Sequence, residues 1–133
     1  MRLMGLVWTK ASKSAITAGI QEIVRWQTAA GGWPQLAKLD PDAYATGQSL
    51  VALHEAGIAV TDDVYQKGVK FLLSTQYPDG SWLVRTRAFP VQPYFESGFP
   101  FGRHQWISAA GTAWAARAMA LTLPDTNRSA LRD

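Results

Sequence analysis

The polar residues best suited to chemistry lie in two places in the sequence. Glu96 and His104 are close enough in sequence to act as a general acid and base, since a carboxylate can orient an imidazole that titrates near neutral pH. Asp42 lies much earlier and offers a carboxylic acid, although an aspartate in front of an apolar run is also a good helix N-cap. For His104 the structural alternative is a surface imidazole bonded to a loop carbonyl. The sequence therefore offers three catalytic candidates, Asp42, Glu96 and His104.

Aromatic and basic side chains crowd the segment around Glu96 and His104. Aromatic faces attract cations and stack on flat apolar ligands, and the prolines in this segment reduce its freedom. The alternative is a loop that folds its aromatic side chains into the protein's own core. The predicted ligand-binding residues are Tyr44, Arg85, Arg87, Phe89, Tyr94, Phe95, Phe99, Phe101 and Trp106.

Composition narrows the class of protein. The chain has 133 residues, the size of one domain, and its 47% of hydrophobic residues indicate a soluble globular protein without a transmembrane span. Cysteine is absent, which excludes a disulfide framework and leaves His54 and His104 as the only imidazoles, so neither a metal site nor a cofactor is expected. The net charge of +3 is scattered, so nucleic acid is not an expected partner. Arg2 precedes only a short apolar run, so no export signal is predicted and the location stays open.

An internal repeat organises the chain. Four residues recur at a displacement of 49 positions, where Gly19, Gln27, Gly31 and Trp33 return as Gly68, Gln76, Gly80 and Trp82. A weaker echo at a displacement of 64 pairs Ala45, Gly47 and Ala52 with Ala109, Gly111 and Ala116. The second copy would then carry fifteen extra residues after Trp82. Such insertions are where repeat proteins place functional variation.

Apolar residues spaced three and four apart predict that each repeat is a helical hairpin. The predicted helices cover about 12–29, 42–56, 61–78 and 108–123. We expect Asp42 and Thr61 to cap the second and third of them. The buried face of the third would include Tyr65, Val69, Leu72 and Leu73. The prediction is an all-α domain over residues 1–133, with repeat 1 at about 12–57, repeat 2 at about 61–123 and an aromatic insertion at 83–105.

The repeated Gln-x-x-x-Gly-x-Trp resembles the core of the QW motif of squalene-hopene and oxidosqualene cyclases. The second copy has the fuller pattern, from Lys67-Gly68 through Phe71-Leu72 to Trp82, whereas the first copy has Glu22 at the aromatic position. The resemblance covers about residues 15–123 and implies part of an (α/α) toroid of helical hairpins. The motif also makes physical sense by itself, because a glutamine that ends a helix can bond orphan backbone groups while an indole stacks over it. We therefore expect a structural staple between repeats, without a catalytic role, from the motif residues Gln27, Gly31, Trp33, Gln76, Gly80 and Trp82.

The same resemblance argues against complete cyclase chemistry. Squalene-hopene cyclases carry an Asp-x-Asp-Asp-Thr-Ala stretch, and the corresponding residues here run from Asp40-Pro41-Asp42 to Ala43-Tyr44-Ala45, without the third acid. Protonation of an alkene needs clustered acids, which Asp42 alone does not supply. The related protein prenyltransferases use a zinc set with a cysteine, which this chain lacks.

The sequence therefore predicts a squalene-cyclase-like repeat module that binds an apolar or isoprenoid ligand. Two alternatives stay open: a small enzyme, either a reduced terpene cyclase or a hydrolase with its site in the 83–105 loop, and a structural interaction module of a larger protein. A ring in this family takes about six hairpins and this chain supplies two. We therefore expect a homo-oligomer, or the remainder of a parent domain, as partner.

Overall fold

Five α-helices build the part of the chain that the computed structural model describes, residues 2–89 and 94–124. They are α1 (Arg2–Trp8), α2 (Lys13–Trp26), α3 (Ala43–Glu55), α4 (Asp63–Thr75) and α5 (Gln105–Ala120), with a 3-10 turn at Gly102–His104 leading into α5. No strand occurs in these residues, which confirms the all-α prediction with four main helices. None of the helices in the two described ranges is long and apolar enough to cross a membrane.

The helix ends lie within about three residues of the predicted ones. Asp42 caps α3 as expected, since its Oδ1 accepts from the backbone N–H of Ala45 at 2.8 Å. The predicted cap of α4 is wrong, because the side chain that accepts at this end is Asp62 and not Thr61. Leu73 is also wrong as a buried residue, since 54% of it is exposed. Leu72 is buried as predicted, and Phe71 is a further buried residue of that turn.

The centre of the fold is the pair formed by α3 and α5, which pack against each other along their lengths. Helices α1, α2 and α4 lie against α3 on its other sides, so that most of α3 is buried. Gly47 permits the close approach of α3 to α5, because a Cβ at this position would lie 2.5 Å from the carbonyl carbon of Trp114. The small residues of these two helices therefore set the distance between them.

The two repeats make the same hydrogen bonds around their tryptophans. Each indole N–H donates to a carbonyl in the last turns of the preceding helix, from Trp33 to Ile23 at 2.7 Å and from Trp82 to Leu72 at 2.8 Å. Both tryptophans are 2% exposed. The last carbonyls of a helix lack backbone partners within it, so the indoles supply donors there. Leu72 O also accepts from Thr75 Oγ1, at 3.3 Å.

The glutamine and glycine of each repeat also occupy equivalent geometry. The side-chain amide of Gln27 donates to Gly31 O at 2.8 Å, and that of Gln76 donates to Gly80 O at 3.0 Å. Gly31 and Gly80 have φ values of +89° and +85°, which favour glycine. Gln27 alone adds a bond to Val64 O, at 2.9 Å, and so ties the end of α2 to the start of α4.

Helix α1 is an element that the four-helix prediction does not contain. Leu3 buries its side chain in the core, and Trp8 donates its indole N–H to Glu55 at 2.8 Å. The other oxygen of Glu55 pairs with Arg117 of α5 at 2.9 Å. One carboxylate at the end of α3 therefore holds both α1 and α5.

A buried phenol makes the fold sensitive to alkaline pH. Tyr65 donates its hydroxyl to Ala118 O near the end of α5, and burial raises its pKa to about 12. Because the unfolded phenol ionises near pH 10, its contribution to stability is complete below pH 10 and is lost as the pH rises from 10 to 12. We expect the free energy of unfolding, measured in urea, to fall by about 2–3 kcal/mol over this range.

The variant Tyr65→Phe tests this assignment. It should cost about 1 kcal/mol at pH 8, because Ala118 loses its donor, and it should flatten the alkaline decline. Tyr77→Phe removes a phenol that is 45% exposed and should leave the decline in place. An equally steep decline in Tyr65→Phe would contradict the assignment.

Candidate functional site

The segment that follows Trp82 runs along α5 and is fixed to it by a ladder of hydrogen bonds. Alternate backbone N–H groups donate to side chains one helical turn apart: Trp82 to Thr112 Oγ1 at 3.1 Å, Val84 to Ser108 Oγ at 2.9 Å and Thr86 to His104 Nδ1 at 3.0 Å. The spacings match, because two extended residues and four helical residues both advance about 6–7 Å. Since side chains alternate along an extended chain, Arg85 and Arg87 lie on the edge opposite buried Val84.

Repeat 1 begins the same ladder and stops sooner. The N–H of Trp33 donates to Thr46 Oγ1 at 2.9 Å, the counterpart of the bond from Trp82 to Thr112. Positions 46 and 112 are 66 apart, two more than the displacement of 64 in the sequence echo. The next hydrogen bond in repeat 1 has a side-chain donor instead of a backbone N–H, since Gln35 Nε2 donates to Asp42 Oδ2 at 2.6 Å.

His104 has a structural role in this ladder. Its Nδ1 must be unprotonated to accept from the N–H of Thr86, which leaves Nε2 as the nitrogen that carries a proton in the neutral ring. The expected bond to a loop carbonyl is replaced by a bond from a loop amide. His104 therefore positions the segment that carries Arg85 and Arg87.

Glu96 is engaged by a different part of the loop. The hydroxyl of Tyr94 donates to Glu96 Oε2 at 2.5 Å, and the N–H of Gly98 donates to Oε1 at 2.9 Å. These bonds lower the pKa of Glu96 and raise that of Tyr94, with the bond between the two side chains as the largest cause in each case. The Glu96 carboxylate is therefore ionised near neutral pH, where a general acid needs the opposite shift. Within the described residues no hydrogen bond joins Glu96 to His104.

Gln105 anchors the 94–98 loop and was not among the predicted residues. Its buried side chain accepts from the N–H and hydroxyl of Ser97 and donates from Nε2 to Phe95 O at 3.0 Å. Helix α5 begins at Gln105, three residues before its predicted start. The sequence does contain a signal for this end of the helix. His104, Ser108 and Thr112 are four residues apart in an alanine-rich stretch, which places them on one helix face, and Gln105 directly follows His104.

Asp42 is linked to the aromatic insertion through Gln35. The Gln35 amide donates to Asp42, while its carbonyl Oε1 accepts from Arg87 Nη2 at 2.9 Å and from Arg87 Nε at 3.2 Å. Both Asp42 oxygens thus have donors, one from Gln35 and one from the start of α3. This chain of bonds joins the loop before α3 to the segment before α5.

Three adjoining grooves meet at Gln35 and Arg87. The inter-helix groove, of about 440 Å³, lies between the N-terminal ends of α3 and α5 and is lined by Gln35, Tyr44, Arg85, Thr86, Arg87, Ala88, Trp106, Ile107 and Ala110. The Trp33 groove, of about 350 Å³, continues past Tyr44 toward Trp26, Trp33, Arg2 and Glu22. The Asp40 groove, of about 250 Å³, is lined by Asp40, Asp42, Arg85 and Arg87 among others.

The structure divides the predicted ligand-binding residues into two sets. Tyr44, Arg85, Arg87 and Trp106 come together in the inter-helix groove. The remaining aromatics, Phe89, Tyr94, Phe95, Phe99 and Phe101, line none of the three grooves.

The aromatics outside the grooves pack on one another or face solvent. Phe95 stacks on Trp106 with ring centroids 6.2 Å apart, and Phe101 contacts the ring of Tyr77 at 5.0 Å. Phe89 is 88% exposed, Tyr94 63% and Phe95 69%, so the alternative that the loop buries these three in the core is wrong. Gln35 and Trp26 are groove residues that sequence reasoning missed.

A larger hollow, of about 900 Å³, lies at the other ends of the central helices. It is lined by residues at and after the ends of α3 and α5, including His54, Ile58, Val60 and Leu121. None of the catalytic or ligand-binding residues predicted from the sequence lies there. It provides an internal comparison for the site at the N-terminal ends.

Comparison of the chain with protein-family models, with curated proteins and with solved structures gives no match. The resemblance to the cyclases therefore stays a prediction.

Proposed function

We propose that this protein is a squalene-cyclase-like α/α repeat module that binds an apolar or isoprenoid ligand in the inter-helix groove. One observation carries the proposal: Tyr44 of α3 and Trp106 of α5, which are far apart in sequence, line the same groove. The α3–α5 contact and the ladder of residues 82–86 bring them together.

The size and lining of the groove suit such a ligand. Small-molecule sites usually have volumes of about 300–1,000 Å³ and are mostly apolar with a few polar groups. The inter-helix groove has about 440 Å³ and joins the Trp33 groove, of about 350 Å³, at Tyr44. Trp106, Ile107 and Ala110 offer an apolar wall, and Trp26 and Ile23 continue it in the neighbouring groove.

The hydrogen bonds made by the carboxylates of Asp42 and Glu96 favour a protein that binds its ligand over one that cyclises it. Attack on an alkene needs a carboxylic acid that is held protonated by neighbouring acids. Asp42 accepts one bond on each oxygen, one of them as the cap of α3, and the pKa of Glu96 is lowered. This arrangement supports a module that holds a ligand and does not protonate it.

The proposal includes completion of the ring by other hairpins. Two hairpins around α3 and α5 form an arc of a toroid that would take about six. Further copies of this chain, or the remainder of a parent domain, would supply the others. A cyclic assembly of copies needs only one type of heterologous interface.

Farnesol binding followed by isothermal titration calorimetry tests the proposed site. Tyr44→Ala and Trp106→Ala each remove an aromatic wall and should weaken binding about tenfold, as expected for the loss of about 1.5 kcal/mol of apolar contact. Phe89→Ala is the matched control, since Phe89 is an exposed aromatic of the same insertion that lines none of the grooves, and it should bind like the parent chain.

Two results would contradict the proposal. One is the absence of saturable farnesol binding to the parent chain. The other is an equal loss of affinity in Phe89→Ala and Trp106→Ala, which would place the ligand on the outer aromatic surface.

A further inference from the structure

Two guanidinium groups border one side of the inter-helix groove. Arg85 and Arg87 are two residues apart on the extended segment 82–86 and its continuation, so they lie on the same edge of the chain. Both line the inter-helix groove, and the apolar wall of Trp106, Ile107 and Ala110 belongs to the same groove. A positive edge therefore borders an apolar surface.

Neither guanidinium is neutralised by a carboxylate. In the described ranges, 2–89 and 94–124, the ion pairs join other residues, and Arg85 has no hydrogen-bond partner. Arg87 donates only to the neutral amide of Gln35, through Nε and Nη2, which leaves further N–H donors free. The bond to Gln35 also restricts the side chain, which lowers the entropy cost of holding a ligand.

The same two arginines also line the Asp40 groove, which holds two acids. Asp40 and Asp42 line the Asp40 groove and are not among the residues of the inter-helix groove. Asp42 already accepts from Gln35 and from Ala45. The inter-helix groove thus contains two cations and no carboxylate, and the first turn of α5, which supplies Trp106, adds the positive end of a helix dipole.

We infer that the ligand of the inter-helix groove carries an anionic group, a carboxylate or a phosphate, which Arg85 and Arg87 bind while its apolar chain lies along Trp106, Ile107 and Ala110. This inference rests on the proposed function, because it specifies the ligand of the same groove. Guanidinium groups form charge-assisted and often bidentate bonds with both kinds of anion. The apolar wall supplies affinity, and the arginines select the charge.

A series of ligands with one chain and different head groups tests the inference. Farnesol, farnesoic acid, farnesyl phosphate and farnesylamine are titrated against the full chain by calorimetry at low salt, below their aggregation concentrations. The acid and the phosphate should each bind about tenfold more tightly than farnesol, and the amine should bind more weakly. Raising the salt concentration should reduce the advantage of the two anions and leave farnesol nearly unchanged.

Arginine variants test whether Arg85 and Arg87 cause the preference for anionic head groups. Arg85→Gln changes a side chain that has no hydrogen bond or ion pair within residues 2–89 and 94–124, and it should lose most of the advantage of the anions. Arg85→Gln combined with Arg87→Gln should abolish this advantage. Arg103→Gln is the matched control, because Arg103 is an exposed arginine of the same insertion outside the three grooves, and the preference should persist in it.

The outcomes separate this inference from the proposed function. If farnesol binds and the anions bind no better, or if the preference survives the double replacement, the inference is wrong and the proposed function stands. If no member of the series binds, both are wrong. Tighter binding of the phosphate than of the carboxylate, or the reverse, identifies which anion the arginines prefer.

Discussion

Replacing Trp33 by alanine is expected to lower the free energy of unfolding by about 3–5 kcal/mol, a large share of the stability of a domain of this size. The indole is 2% exposed and its N–H donates to Ile23 O at 2.7 Å. Its removal leaves a cavity in the core and an unpaired carbonyl at the end of α2. Because Trp82 makes the same bond in repeat 2, Trp82→Ala should have an effect of similar size.

Two variants test whether the loss of stability comes from the tryptophan motif or follows the removal of any indole. Trp33→Phe keeps most of the packing and should cost about 1–3 kcal/mol through the unpaired carbonyl. Trp106→Ala removes an indole that is 58% exposed and should cost less than about 1 kcal/mol. Equal losses for Trp33→Ala and Trp106→Ala in urea unfolding would contradict the idea that the motif staples the repeats.

The replacement Gly47→Ala should destabilise the protein by about 2–3 kcal/mol, against the usual preference of helices for alanine. The added Cβ would lie 2.5 Å from the carbonyl carbon and 2.8 Å from the carbonyl oxygen of Trp114. These are backbone atoms that cannot turn aside as a side chain would. Helix α3 must therefore move away from α5, which also widens the inter-helix groove.

Gly5→Ala is the matched control in a helix of the same chain. A Cβ at Gly5 meets no atom within 4 Å, so alanine should stabilise α1 by about 0.5–1 kcal/mol. Thermal unfolding of both variants measures the contrast. A stabilising Gly47→Ala would show that α3 and α5 are not in close backbone contact.

Local patterns in the sequence were sufficient for the helices and the tryptophan motif. Apolar spacing identified α2 to α5, and Asp42 was recognisable as a cap because it directly precedes an apolar run. The repeat of Gln27 and Trp33 at Gln76 and Trp82 correctly indicated equivalent surroundings. These features depend on residues within about ten positions of one another.

The candidate site depends on contacts between distant parts of the chain, and the sequence revealed less of it. The hydrogen bond from Arg87 to Gln35 joins residues 52 positions apart in the sequence, and no periodic pattern in the sequence predicts it. The ladder places His104 against Thr86, a contact between residues 18 positions apart in the sequence. Leu73 was misassigned because its spacing fits the buried face of α4, yet 54% of it is exposed while its neighbour Leu72 is fully buried.

The most direct test of the inter-helix groove is photoaffinity labelling with a diazirine derivative of farnesol, followed by mass spectrometry of the labelled peptides. The account predicts that labels appear in two separate stretches, at the start of α3 around Tyr44 and at the start of α5 around Trp106, and that excess farnesol suppresses both. Labels confined to residues 57–60 and 120–124, in the hollow at the opposite ends of the same helices, would contradict it.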